Sequence, residues 1–130
     1  MEDEALTKTV IGCAMKVHRV LGPGFLESVY ENAFAYELRK EGLNVECQVA
    51  IQVRYDGVVV GDFIADMRIE KRLLIENKAV LKITIAHEVQ LVNYLTATGH
   101  DIGLLVNFGA SRLEVKRKYR VYQKSLSKEV

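Results

Sequence analysis

A change of hydrophobic period constrains this chain more than any other feature. Apolar residues recur every three to four positions up to residue 40, alternate over 45–69, and return to the longer spacing over 84–98. The longer spacing buries one face of a helix and the alternation buries one face of a strand, so each segment suits only its own element. Over residues 7–21, Val10, Ile11, Ala14, Val17, His18 and Leu21 predict a helix with one face on a core. Leu21-Gly22-Pro23-Gly24 ends it with the chain's only proline. A second helix is expected over 25–40, with Leu26, Val29, Tyr30, Ala33, Phe34 and Leu38 inward and Gly42 as a stop signal.

From Val45 to Tyr55, apolar residues alternate with Glu46, Gln48, Ala50, Gln52 and Arg54, the pattern of a half-buried strand. Asp56-Gly57 is a hairpin turn, a second strand covers 58–69, and Glu70-Lys71 makes another tight turn. The third strand, 72–79, is shorter and more apolar, as a central strand should be. Thr84 is the expected cap of a third helix reaching Thr98, with Ile85, Ala86, Val89, Val92 and Leu95 inward and Gly99 closing it. Residues 102–108 are apolar on both faces and predict a strand parallel to the third, with the helix between them as crossover. Residues 113–122 alternate again and add an edge strand. The expected fold is α/β: an ααβββαβ order with a mixed sheet, in one domain spanning 1–130 without linker or repeat.

Composition narrows the setting. Hydrophobic residues make up 49% and charged residues 27%, as in ordinary globular proteins, and no apolar run reaches the roughly 18 to 20 residues of a membrane span. The acidic start Met1-Glu2-Asp3-Glu4 is unlike a secretory signal, and Cys13 and Cys47 lack metal-type spacing, so a cytoplasmic protein with reduced, buried cysteines is expected. Charge is uneven: residues 112–130 hold seven Lys+Arg against two Asp+Glu, a net of +5, whereas residues 1–111 carry −4, together the chain's +1. Lys116, Lys118 and Arg120 share one face of the last strand, where they would contact nucleic-acid phosphates or simply keep a solvated edge from aggregating.

The chemistry concentrates on the central strands. Alternation places Asp66 on one face with Asp62, Ile64 and Arg68, and Phe63, Ala65, Met67 and Ile69 on the other. Glu76 and Lys78, two apart, share a face with alpha carbons about 6 to 7 Å from each other. In a hairpin of the second and third strands Asp66 approaches Glu76. Two such carboxylates repel unless a proton or a cation lies between them. Oxygen ligands of this kind suit Mg2+ or Mn2+, and Lys78 adds a charge able to steady a developing oxyanion. Glu76 lies inside Leu73-Leu74-Ile75-Glu76-Asn77-Lys78-Ala79-Val80, where a lone charge is costly, so it needs a metal or an ion pair with Lys78 or Arg68.

These residues carry a resemblance. Asp66, nine intervening residues, then Glu76-Asn77-Lys78 is similar to the D…ExK signature of restriction-endonuclease-like nucleases, and the inferred αβββαβ order matches their core. Gln90 and Tyr94 form a Q-x-x-x-Y pair on the following helix, and residues 24–30 read G-x-x-E-x-x-Y. The chain thus resembles the GxxExxY family of the PD-(D/E)xK superfamily over residues 22–108. The resemblance implies a four-stranded mixed sheet flanked by helices, with an extra N-terminal helix and a C-terminal edge strand. It also implies that Asp66 and Glu76 ligate Mg2+ or Mn2+, with the Asn77 carbonyl completing the shell and Glu27 joining directly or through water. Lys78 becomes the catalytic lysine and Gln90 orients the site, with Tyr94 one turn further on.

Each position also has a plainer reading. Glu27 suits the positive end of a helix dipole, Tyr30 and Tyr94 suit a core, His87 suits a half-exposed helix face, and His18 suits the core. The expected activity is divalent-metal-dependent hydrolysis of phosphodiesters, in DNA before RNA. The alternative is a catalytically silent module on the same fold that binds nucleic acid or protein. In either case a homodimer or a partner protein would supply recognition.

Overall fold

The computed structural model describes residues 2–121. Its elements are α1 (Asp3–Leu21), α2 (Glu27–Lys40), β1 (Val45–Tyr55), β2 (Val58–Ile69), β3 (Leu73–Lys78), α3 (Ile85–Thr98), β4 (Ile102–Asn107) and β5 (Glu114–Tyr119). Tyr122 and the lysines beyond it lie outside the described residues. The five strands form one mixed sheet in sequence order, antiparallel except for the β3–β4 pair, whose crossover is α3. This is a restriction-endonuclease-like α/β arrangement, with the sequence-expected edge strand present as β5.

Local chemistry explains the turns. Asp56 and Gly57 take φ of 51° and 76°, the left-handed pair that a two-residue hairpin needs. Glu70 and Lys71 adopt φ of 54° and 57° without a glycine, a strained choice for side-chain-bearing residues. Backbone bonds hold that turn: Glu70 N–H reaches the Asn44 carbonyl at 2.9 Å, and Arg72 N–H reaches Ile69 at 3.0 Å. The Glu70 carboxylate also accepts the Asn44 N–H at 2.9 Å.

Two cores sandwich the sheet. Beneath α1 and α2 lie Val10, Ala14, Phe34, Leu38, Ile75 and Phe108 among many others. Beneath α3 the cluster is smaller and includes Ile51, Ala65, Leu74, Leu91, Leu95 and Leu105.

Several expected faces are corrected. The first helix begins at Asp3, which adds buried Leu6; Thr7 is buried too, while Ile11 is only partly buried. His18 is not in the core: it is half-buried, with Nε2 2.8 Å from the Ala110 carbonyl, tying α1 to the loop after β4. Leu26 and Val29 are exposed, because α2 starts at Glu27 and turns Tyr30, Phe34, Ala35 and Leu38 inward. Ile85 and Val89 are exposed too, since α3 meets the sheet through Leu91, Tyr94 and Leu95. Cys13 is buried, but Cys47 is only half-buried.

The largest correction concerns β2. Met67 and Ile69 pack under α1 and α2, yet Ala65 packs under α3, so the odd-numbered residues change sides at Asp66. The same change occurs in β1, where Val45 and Cys47 join the first core and Val49 and Ile51 the second. Between them stands Gln48 with φ of 56°, opposite Asp66 in a register that is the same from Val45 to Val53 and shifts only beyond it. A left-handed residue reverses the pleat, and strict alternation fails across it.

Candidate active site

Two glycines and a tyrosine place Glu27. Gly22 and Gly24 take φ of 68° and 117°, a path that disfavours residues with a Cβ. The buried Tyr30 hydroxyl donates to the Gly22 carbonyl and accepts the Phe25 N–H at 3.1 Å, closing the loop onto α2. Its ring stacks on Phe108 at 4.9 Å with planes 3° apart. The spacing of Gly24, Glu27 and Tyr30 therefore has a mechanical meaning: the loop turns, the tyrosine ties it, and Glu27 opens the helix where the dipole favours an anion.

Asp66 sits at the pleat reversal, and its carboxylate accepts the Asn77 N–H at 2.7 Å. That bond fixes it beside Glu76, which is 5% exposed and has Oε1 without a hydrogen-bond partner. Burial first, then repulsion from Asp66 and a shared hydrogen bond with it, hold the Glu76 carboxyl far above its ordinary 4.5; Lys78 opposes this. Glu27 is also raised, by burial and then by Asp66, and lowered by Lys78. Asp66 and Lys78 thus act on both Glu27 and Glu76, which makes the pair a common electrostatic neighbour of the two glutamates. Tyr94, buried on α3, borders the same acids: burial raises its hydroxyl, and the Glu76 and Asp66 charges raise it further.

Glu31 belongs to this group although sequence reasoning passed over it. It lies one helical turn beyond Glu27, and Gln48 Nε2 donates to its two oxygens at 3.0 and 3.3 Å. Burial raises its carboxyl, the Gln48 bond lowers it, and Asp66 raises it again. Its i+4 spacing from Glu27 was the available signal. The Asn77 side chain is fully buried: its Nδ2 meets Met67 Sδ at 3.1 Å, its Oδ1 has no partner, and it also bonds toward Glu31, lowering that carboxyl, so it does not simply turn away from the acids.

The end of β3 is clamped by a residue that carried no sequence signal. Buried Asn107 accepts Val80 N–H and Gly109 N–H, each at 3.0 Å, and donates to the Val80 carbonyl at 2.9 Å and to Glu114 Oε1 at 2.8 Å. A Cβ on Gly109 would fall 2.4 Å from Val80 N, so the two loops touch through backbone alone. The chain just after Lys78 is thereby fixed.

Other candidates lie further out. Gln90 is exposed and lines an open cleft of about 1050 Å3 between the β1–β2 hairpin and α3, whose walls include Tyr94 but none of the acids or Lys78. His87 caps its own helix: Thr84 N–H donates to His87 Nδ1 at 3.1 Å, and His87 N–H donates to Thr84 Oγ1 at 3.3 Å. Of the expected basic row, Lys118 on β5 pairs with Glu88 at 3.0 Å, Arg120 just past the strand pairs with Asp101 at 2.8 Å, and Lys116 is exposed.

Among the described residues no three His, Cys, Asp or Glu side chains converge into a metal cage. The donor chemistry is that of a hard cation that keeps several waters and takes one or two carboxylates. The partnerless oxygen of Glu76, beside Asp66 and Lys78, fits such an ion.

Asp66, Glu76 and Lys78 stand on the inner strands of the mixed sheet. Residues 4–118, most of the chain, match the family model described as the PD-(D/E)XK nuclease superfamily, and the chain belongs to that superfamily. Among solved structures it is similar to the crystal structure of SSO0001, with 22% identity and a TM-score of 0.60, a likeness in fold. The match covers 76% of this chain and 52% of that one, so the chain spans about half of its length. No curated protein matches. No helix is long and apolar enough to cross a membrane.

Proposed function

We propose that the protein is a GxxExxY-type nuclease that hydrolyses phosphodiester bonds, in DNA before RNA, with Mg2+ or Mn2+. The observation that carries this reading is Glu76: a buried carboxyl with a partnerless oxygen, pressed against Asp66 and faced by Lys78. Leaving such a group unpaired costs about 1–3 kcal/mol or more, a cost that a bound cation removes.

In this reading Asp66 and Glu76 hold the ion, with the Asn77 carbonyl alongside and Glu27 reaching in from α2. The ion would supply Lewis-acid polarisation of the phosphate and a more acidic water. Asp66 keeps its orientation through the Asn77 N–H. Lys78, held by the clamped end of β3, places an ammonium where charge develops on the phosphate oxygens. Glu31 and Gln48 brace the back of the acid group, and Gln90 meets the substrate from α3.

The test is cleavage of circular, linear, single-stranded and branched DNA with Mn2+, wild type beside Lys78→Ala. Expected is metal-dependent cleavage that falls at least about 100-fold in the variant. Cleavage undiminished in the variant would remove Lys78 from the chemistry. An inert wild type that still binds Mn2+ would favour the silent module.

A further inference from the structure

The broad cleft beside the acids has lining residues, Phe63, Gln52 and Asn93, that the hydrolytic reading leaves unused. On β2, Phe63 is 45% exposed, and its ring lies 5.7 Å from that of Tyr94 at a tilt of 41°. The rings are not stacked on each other, which leaves the Phe63 face open to the cleft. Gln52, Gln90 and Asn93 surround them, and each amide offers both donors and acceptors. Aromatic faces flanked by amides are what unpaired bases require: stacking takes any base, and the amides meet exposed base edges.

Charge argues the same way. The one cation of the lining is Arg54, and its guanidinium already donates to Gln52 Oε1 at 2.9 Å and to the Gly57 carbonyl at 3.1 Å. Residues 1–111 carry a net of −4, and Lys118 on β5 and Arg120 just after it are held in ion pairs. A duplex brings two rails of phosphates and calls for rows of available cations. This surface offers instead a groove for bases. At about 1050 Å3 the cleft matches the upper range of ordinary ligand pockets, roughly 300–1,000 Å3, which is room for a few bases. Tyr94 belongs both to the cleft and to the border of the acid group, so bases seated here would set the adjoining phosphate toward Asp66 and Glu76.

We infer that the cleft between the β1–β2 hairpin and α3 seats unpaired nucleobases, making single-stranded or locally opened nucleic acid the substrate class. The inference rests on the nuclease reading for its biological meaning, but its binding step stands apart from catalysis.

The chain has no tryptophan, so Phe63→Trp would place a sole indole in the cleft. Its emission is read while the full-length protein is titrated, in EDTA, with an oligothymidylate of about 12 nucleotides and separately with a duplex of equal length. Expected is quenching by the single strand at concentrations at least about tenfold below those needed for the duplex. Phe63→Ala should weaken single-strand binding about 5- to 100-fold by fluorescence anisotropy, and Phe63→Tyr should restore it. Because Phe63 is half exposed, the circular dichroism of the variant should match wild type and its Tm should fall by no more than about 5 °C. Equal affinity for duplex and single strand, or a Phe63→Ala variant that binds as wild type, overturns the cleft assignment. Wild-type cleavage of DNA with Phe63→Ala unaffected on single strands sinks the cleft and spares the nuclease. Quenching and selective binding without any metal-dependent cleavage does the opposite.

Discussion

The two faces of the sheet are built for different purposes. Under α1 and α2 the packing is deep, and even the functional string around Glu27 is anchored there through Tyr30 on Phe108, with Phe34 edge-on to Phe108 at 5.7 Å. Under α3 the buried cluster is less than half as large, Ile85 and Val89 stay exposed, and one oxygen of the buried Glu76 carboxyl lacks a hydrogen-bond partner. One face supplies the stability that the other gives up to hold charge and an open cleft, a common division where a rigid scaffold carries a costly site.

The sharpest way to break this comparison is to remove one aromatic from each face. Phe108→Ala deletes a fully buried ring that contacts both Tyr30 and Phe34, and should cost about 3–5 kcal/mol in urea melts. Phe63→Ala, from a ring 45% exposed, should cost less than about 1 kcal/mol. Similar losses from the two would mean that the α3 face carries as much of the fold as its partner.

Much of this division was legible in the sequence. Period alone located the helices and strands, because burial of one face imposes it, and β2 was expected over the span it occupies. The pairing of Asp66 with Glu76 followed from hairpin geometry. Illegible were features set by the third dimension. The pleat reversal at Gln48 arises from one left-handed residue, which alternation cannot announce. The exposure of Ile85 and Val89 depends on how far α3 overhangs the sheet. Asn107 looked like one polar residue at the end of an apolar strand, and only the folded loops show four bonds meeting on it. Glu31 was readable from helix spacing, but its brace, Gln48, was not.

A second prediction concerns the sign of Glu76. Its carboxyl is raised by burial and by Asp66, so above its ordinary 4.5 the folded protein keeps a proton that the unfolded chain has released. Stability should therefore fall as pH rises from 4.5 toward the elevated folded value. Glu76→Gln removes that slope. In EDTA the variant should match wild type near pH 4 and exceed it near pH 8 by roughly 1–3 kcal/mol. Mn2+ should raise the Tm of the wild type and leave the variant unmoved. An equal Mn2+ shift in both proteins would take Glu76 out of the metal shell.

Glu46 provides the opposite case, with the smallest effect. It pairs with Arg68 through two bonds of 2.7 and 2.9 Å, and Lys71 adds a third contact at 3.3 Å. The Arg68 bond lowers the carboxyl from 4.5 to about 2. A depressed folded value means that the contribution is complete above 4.5 and is lost as pH falls through about 2. The urea midpoint of Glu46→Gln should lie below that of wild type at pH 7, converge on it below pH 4.5, and meet it near pH 2. Because both side chains are partly exposed, 1 M salt should shrink the neutral-pH difference. A difference that persists unchanged at pH 2 would show that Glu46 acts by packing. Glu46 lies opposite Arg68 on β2, and Arg68 lies opposite Leu74 on β3, so Glu46 and Glu76 stand two strands apart on one sheet. They respond to pH with opposite sign because Arg68 dominates at the Glu46 carboxyl, whereas burial and Asp66 outweigh Lys78 at Glu76.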